Sequence, residues 1–132
     1  MLNIRWHEYL KFAIILISLH SLLLGITMLF FPLSFTEFFG FKSTETFFWQ
    51  SQSGIFLIVL AIAYFLAYKE LDRSRVLVHF IVLSKVLAVV FLMVHFVFLK
   101  APYSIGLAAA GDALMGLCVL FLNIKAPLET KK

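Results

Sequence analysis

Two charged residues sit where long apolar runs leave little room for charge: Lys85, within the run Arg75–Leu99, and Asp112, within Pro102–Ile124. A charged side chain at the centre of a bilayer costs at least ~2.5 kcal/mol on insertion scales, so it normally faces protein and finds a partner. Counting from opposite ends of two antiparallel helices places Lys85 and Asp112 at one depth. Helical side chains lean toward their own N-termini, which moves this pair slightly apart, and a lysine stem is long enough to close the gap. The spacing therefore predicts a buried Lys85–Asp112 ion pair. Ala108, Asp112 and Gly116 recur at four-residue spacing, and Asn123 follows Asp112 by eleven, so one face of this helix combines small and polar residues. Small residues let another helix approach closely, which turns the carboxylate toward protein. Three roles stay open for the pair: fixing helix register, relaying a proton or anchoring a ligand, or touching another subunit. An ion pair is weak evidence of net stability, because desolvation offsets much of the Coulomb gain.

His20 lies near the middle of the run Tyr9–Phe31, with Ala13 and Thr27 on its face at seven-residue spacing. It is expected to reach the same polar layer, either as a buried, hydrogen-bonded structural histidine or as a titrating one. Gln52 and His95 share a second depth nearer the opposite membrane face. With Trp49, Gln50 and Ser53 they define a candidate outer cluster, whose alternative reading is simple interfacial solvation. Bis-histidine haem ligation needs two imidazoles at one depth on facing helices. His20 is central, His79 and His95 lie toward opposite ends of one helix, and those two differ by about 160° around it. No haem, zinc site, nucleotide loop or nucleophile–base pair is expected. Cys118 is the sole cysteine, which excludes a disulfide framework and a thiolate metal cluster.

The elements that must hold these residues are four apolar segments, Tyr9–Phe31, Thr46–Tyr68, Arg75–Leu99 and Pro102–Ile124. Each is long enough, at about 1.5 Å per residue, to cross a hydrocarbon core of about 30 Å. Lipid offers no partner for backbone groups, so such segments are read as helices. Only 14% of the residues are charged and 63% are hydrophobic; a water-soluble domain carries roughly 25% charged residues. The fold class expected is all-α: one membrane-embedded four-helix bundle over residues 1–132. The net charge of +4 does not indicate nucleic acid, because the basic residues lie at the ends of apolar runs and form no single patch. The first apolar run exceeds a signal-peptide core and no small-residue cleavage site follows it, so no cleaved leader is expected.

Pro32 closes the first segment, and Ser34 to Glu37 matches a capping box with Gly40 beyond it. A short interfacial helix over Phe35–Phe39 follows from that pattern. Asp72 or Ser74 is the expected N-cap of the third long helix, and Pro102 suits the first turn of the fourth. Lysine and arginine are distributed unevenly. Arg5, Lys11, Lys69, Arg73, Arg75, Lys125, Lys131 and Lys132 fall on one side, and Lys42 and Lys100 on the other. The positive-inside rule then puts both termini and the middle loop in the cytoplasm. Trp6, Tyr9, Tyr68, Trp49 and Tyr103 fall near the two interfaces, as an aromatic belt requires.

The chain also resembles the DoxX-like group of small four-helix bacterial membrane proteins, over nearly its whole length. The resemblance rests on Gly25-x6-Pro32-x2-Phe35-x4-Gly40, on Gly54 with Leu60-Ala61-Ile62-Ala63-Tyr64, on Ser84-Lys85, and on Gly111-Asp112-Ala113-Leu114 with Phe121-Leu122. It implies a bacterial cytoplasmic-membrane location and, by way of better-known members, association with membrane oxidoreductase complexes. The redox cysteine pair of some related four-helix proteins is missing, which argues against electron chemistry in the chain itself. The reading preferred from sequence is a non-catalytic accessory or interaction subunit of a larger membrane complex, or a homo-oligomer. The alternative is binding or transport of a hydrophobic small molecule, quinone, lipid or proton at Lys85, Asp112 and His20. An enzyme ranks third, since no nucleophile or redox centre can be named.

Overall fold

The computed structural model describes residues 5–42 and 47–126. It contains five helices in the order α1 (Trp6–Phe30), α2 (Pro32–Phe38), α3 (Phe48–Lys69), α4 (Val76–Phe98) and α5 (Tyr103–Lys125). The described residues form no strand. The four long helices are each apolar and long enough to cross a membrane. Their outward surface is made of side chains such as Leu23, Phe56, Val90 and Leu117, a surface suited to acyl chains rather than water. The chain is thus a multi-pass membrane bundle.

Helix α1 packs along α3, and α4 along α5; α1 also touches α5, while α3 and α4 share only a short contact. The result is an up-down-up-down bundle made of two tight hairpins. Its core lies toward the end that carries the chain termini. Leu10, Ile14 and Ile17 of α1 meet Tyr64 and Ala67 of α3, Val78 and Ile81 of α4, and Val119 and Leu122 of α5. Toward the far end α1 and α3 instead cross backbone on backbone. A Cβ added at Gly25 would lie 2.7 Å from the Gly54 carbonyl oxygen, and one at Gly54 would lie 2.7 Å from that of Gly25. Ser18 fixes the same crossing by donating its hydroxyl to the Ala61 carbonyl at 2.8 Å.

Several local expectations are corrected. The short helix starts at Pro32, not Phe35, and Ser34 lies inside it; Phe31 is the N-cap and makes no side-chain cap. Proline sets the start because its fixed φ suits the first helical position, where its missing N–H costs no bond. Gly40 does close the helix at φ +78°. Its N–H bonds the Glu37 carbonyl and that of Phe41 the Thr36 carbonyl, the double closure of a Schellman motif. Ser104 then ties α5 to the end of α2 by donating to the Phe39 carbonyl at 2.6 Å. Helix α4 is capped at Arg75 rather than at Asp72 or Ser74. Ser74 accepts from the Val76 N–H at 3.3 Å, whereas Asp72 is engaged by α1. Pro102 is the N-cap of α5, one position ahead of the first turn. The second long helix is described from Phe48; the expected start at Thr46, and Lys131 and Lys132, lie outside the described residues.

Candidate functional site

A polar layer crosses the bundle near mid-height and draws on all four long helices. Lys85 donates to Asp112 Oδ1 at 2.5 Å, with side-chain exposures of only 8% and 18%. The stem of Lys85 reaches across because α5 offers no side chain opposite it: a Cβ at Gly116 would lie 3.1 Å from the Lys85 Cβ. One residue earlier on α4, Ser84 donates to the Ile81 carbonyl at 2.8 Å and shares a 2.6 Å hydrogen bond with the buried Tyr64 hydroxyl of α3. Tyr64 therefore donates and Ser84 passes the bond on. Each inward-facing donor of this layer thus ends on an acceptor within the bundle, as groups shielded from water require.

The pair also forms the floor of a groove of about 270 Å³ between α4 and α5. Its walls are Val82, Val86, Val89, Val90, Ala113, Leu117 and Leu120, and Val86, Val90 and Leu117 are more than half exposed. The groove opens sideways, toward lipid. It offers a ligand an apolar channel with a single charged contact at its base.

His20 occupies a different position from the one expected of a buried structural histidine. It is exposed and lines a second sideways hollow, of about 350 Å³, between α1 and α5, together with Ala13, Leu16, Ile17, Leu114, Met115 and Cys118. It makes no hydrogen bond among the described residues.

No direct hydrogen bond links the members of the outer cluster across helices among the described residues. The depth match that aligns Tyr64 with Ser84 also aligns Gln52 with His95, yet these two make no hydrogen bond with each other. His95 Nδ1 donates to the Phe91 carbonyl of its own helix at 2.9 Å and its ring packs on Phe91. Gln52 Oε1 and Gln50 Oε1 are buried without a partner among the described residues. Trp49 is 70% exposed and packs edge-on against Phe48, while Ser53 donates back to the Trp49 carbonyl. Helices α3 and α4 share only a narrow contact, so equal depth alone does not pair their side chains.

Two polar ties at the termini end escaped the sequence reading. Arg75 donates to Asn123 Oδ1 at 2.9 Å and to the Ala126 carbonyl at 2.8 Å, binding α4 to the end of α5. Arg75 precedes Lys85 by ten residues and Asn123 follows Asp112 by eleven, so the register argument that pairs the first two also pairs the second. Asp72, in the α3–α4 connection, meets His7 Nε2 at 2.5 Å and Lys11 Nζ at 3.3 Å, both from α1. Desolvation pushes its carboxyl up, but the hydrogen bonds and charges of Lys11 and His7 outweigh this and hold it below the ordinary carboxylate range. Nothing in the spacing of His7, Lys11 and Asp72 signals that contact, since they lie on separate elements.

No group of three or more histidine, cysteine, aspartate or glutamate residues suited to a metal ion occurs among the described residues. Comparison with family models, with curated proteins and with solved structures gives no match.

Proposed function

We propose that this chain is a non-catalytic interaction protein of the membrane, a compact bundle that docks side-on against other transmembrane helices in a larger complex. The observation that carries this reading is the closure of the polar layer. Lys85 and Asp112 satisfy each other, Tyr64 and Ser84 end on a backbone carbonyl, and the polar group left over, His20, faces outward. A proton relay needs a chain of exchangeable groups leading on from the pair; a register lock does not. The DoxX-like resemblance and the bacterial cytoplasmic membrane belong to this proposal, as do cytoplasmic termini. A second reading, binding of a hydrophobic small molecule, is favoured by one observation, the apolar groove that ends on Lys85 and Asp112.

Gentle-detergent purification followed by native mass spectrometry separates the two. A co-purifying membrane protein, or a second copy, supports the interaction reading. A stoichiometric small molecule that is lost in Lys85→Met supports ligand binding instead. Orientation is tested by single cysteines replacing Lys42 and Arg73 in a Cys118→Ala background. The Lys42 position should react with an impermeant maleimide in intact cells and the Arg73 position only after lysis. The reverse pattern overturns the assignment.

A further inference from the structure

We infer that the hollow between α2 and the adjoining ends of α1 and α3 holds a phospholipid whose headgroup carries a hydrogen-bond donor. The inference goes beyond the interaction reading and concerns a site apart from the groove at Lys85. It starts from Gln50, in the first turn of α3. A glutamine at that position can reach back to the N–H of the cap residue, but α3 has no side-chain cap. Its Oε1 is instead buried without a partner among the described residues, a state that native structures avoid. The side chain lines a hollow of about 330 Å³ together with Met28, Phe35, Thr36, Phe41 and Lys42.

Each lining group narrows what fits. An amide oxygen only accepts, so the occupant must bring an N–H or an O–H. Lys42 is exposed and makes no ion pair among the described residues, so its ammonium calls for an anionic group. Thr36 makes no further demand, because its hydroxyl already donates to the Pro32 carbonyl at 2.7 Å. Met28, Phe35 and Phe41 are apolar, so water alone would find too few partners to fill the space. The hollow lies where spanning helix α1 ends and α3 begins, the level at which headgroups meet acyl chains. A phosphodiester at Lys42, a donor at Gln50 and the first methylenes of a chain against the apolar wall meet these demands together. The wall is in place beforehand, because Gly40 closes α2 and Ser104 ties its end to α5.

The test is lipid binding to the full chain in detergent, read by native mass spectrometry, with phospholipids of identical acyl chains. The probes are phosphatidylethanolamine, its N,N-dimethyl form and phosphatidylcholine. The first two keep an N–H, and the last differs from the dimethyl form by a single methyl group that removes it. The dissociation constant should change little between the first two. It should rise about 5- to 100-fold at the final methyl, the cost of leaving a buried acceptor unpaired. Gln50→Leu should erase that step while still binding all three lipids, and Lys42→Gln should weaken all three alike. Helix content by circular dichroism and thermal unfolding checks that each variant is folded; the headgroup series on the wild type stands without them. Equal binding of the dimethyl and choline lipids overturns the inference. A step that persists in Gln50→Leu also overturns it, because the final methyl is then excluded by bulk or read elsewhere. Glycerophosphoethanolamine, the headgroup without chains, should compete poorly; competition equal to that of the intact lipid would make the ligand a soluble phosphodiester and overturn the lipid assignment. A wild type that binds none of the three lipids overturns it outright.

Discussion

An ammonium and a carboxylate that meet away from water each supply the partner that the other would otherwise lack. Truncating either member of such a buried pair typically costs about 3–5 kcal/mol, because the survivor is left charged and unpaired or must change protonation state. Lys85→Met and Asp112→Asn should therefore each lower the unfolding temperature in detergent, and the double variant should recover part of the loss. A coupling energy of about 0.5–3 kcal/mol in the double-mutant cycle is expected; additive losses would mean that the two side chains act independently. The double variant also bears on role, since a well-folded form that keeps its partner leaves the pair a register lock. Asp72 behaves differently because it is half exposed and meets His7 and Lys11 at the bundle end. Its carboxyl is held below the ordinary range, so its contribution is complete above the unfolded-chain value near pH ~4 and is lost as pH falls through the lower folded value. Thermal stability should drop in acid below about pH 4, and Asp72→Asn should flatten that limb. An unchanged acid limb in the variant would show that the three-residue contact contributes nothing.

At the scale of helices, the contact between Gly25 and Gly54 sets how near α1 can come to α3. An alanine at either position places a methyl carbon 2.7 Å from a carbonyl oxygen, and neither backbone can retreat without opening the hairpin. Gly25→Ala and Gly54→Ala should each cost about 1–3 kcal/mol, the usual penalty for overpacking. Gly111→Ala, which meets nothing, should be neutral or slightly stabilising by helix propensity. Equal effects at all three positions, in detergent unfolding, would argue against the close crossing. The comparison also shows what sequence conveys about helices. Length and apolarity mark the long helices to within a few residues at their ends. Counting along antiparallel helices gives depth, which sufficed for Lys85 and Asp112 because a short connection makes α4 and α5 neighbours. Depth did not suffice for Gln52 and His95, because it is silent on the lateral distance between α3 and α4. Cap patterns were the least legible: Ser34 matched a capping box that would start the helix at Phe35, yet Pro32 began it three residues earlier. His20 misled for a related reason, since periodicity gives its angle around α1 but not which angles the neighbouring helices cover.

Taken whole, the molecule is two tight hairpins, α1 with α3 and α4 with α5, joined through narrower contacts. The core that unites them lies at the termini end, where Arg75 and Asp72 add their ties. Composition revealed the membrane architecture because 14% charged residues cannot coat a water-soluble surface. It could not reveal how helices pair, since apolar surfaces facing lipid and facing protein share the same side chains. The hairpin arrangement also bears on how the chain enters the bilayer during synthesis. Lys85 and Asp112 belong to the same hairpin, and only residues 99–102 separate α4 from α5. The carboxylate that neutralises Lys85 is therefore delivered by the very next segment to leave the ribosome, and the two can partition into lipid as one neutral unit. A nascent chain stopped after Ala101 lacks that carboxylate, and its α4 carries a lysine whose insertion cost is at least ~2.5 kcal/mol at mid-bilayer. In a glycosylation-mapping assay that truncated chain should integrate α4 less completely than the full chain, and Lys85→Leu should abolish the difference.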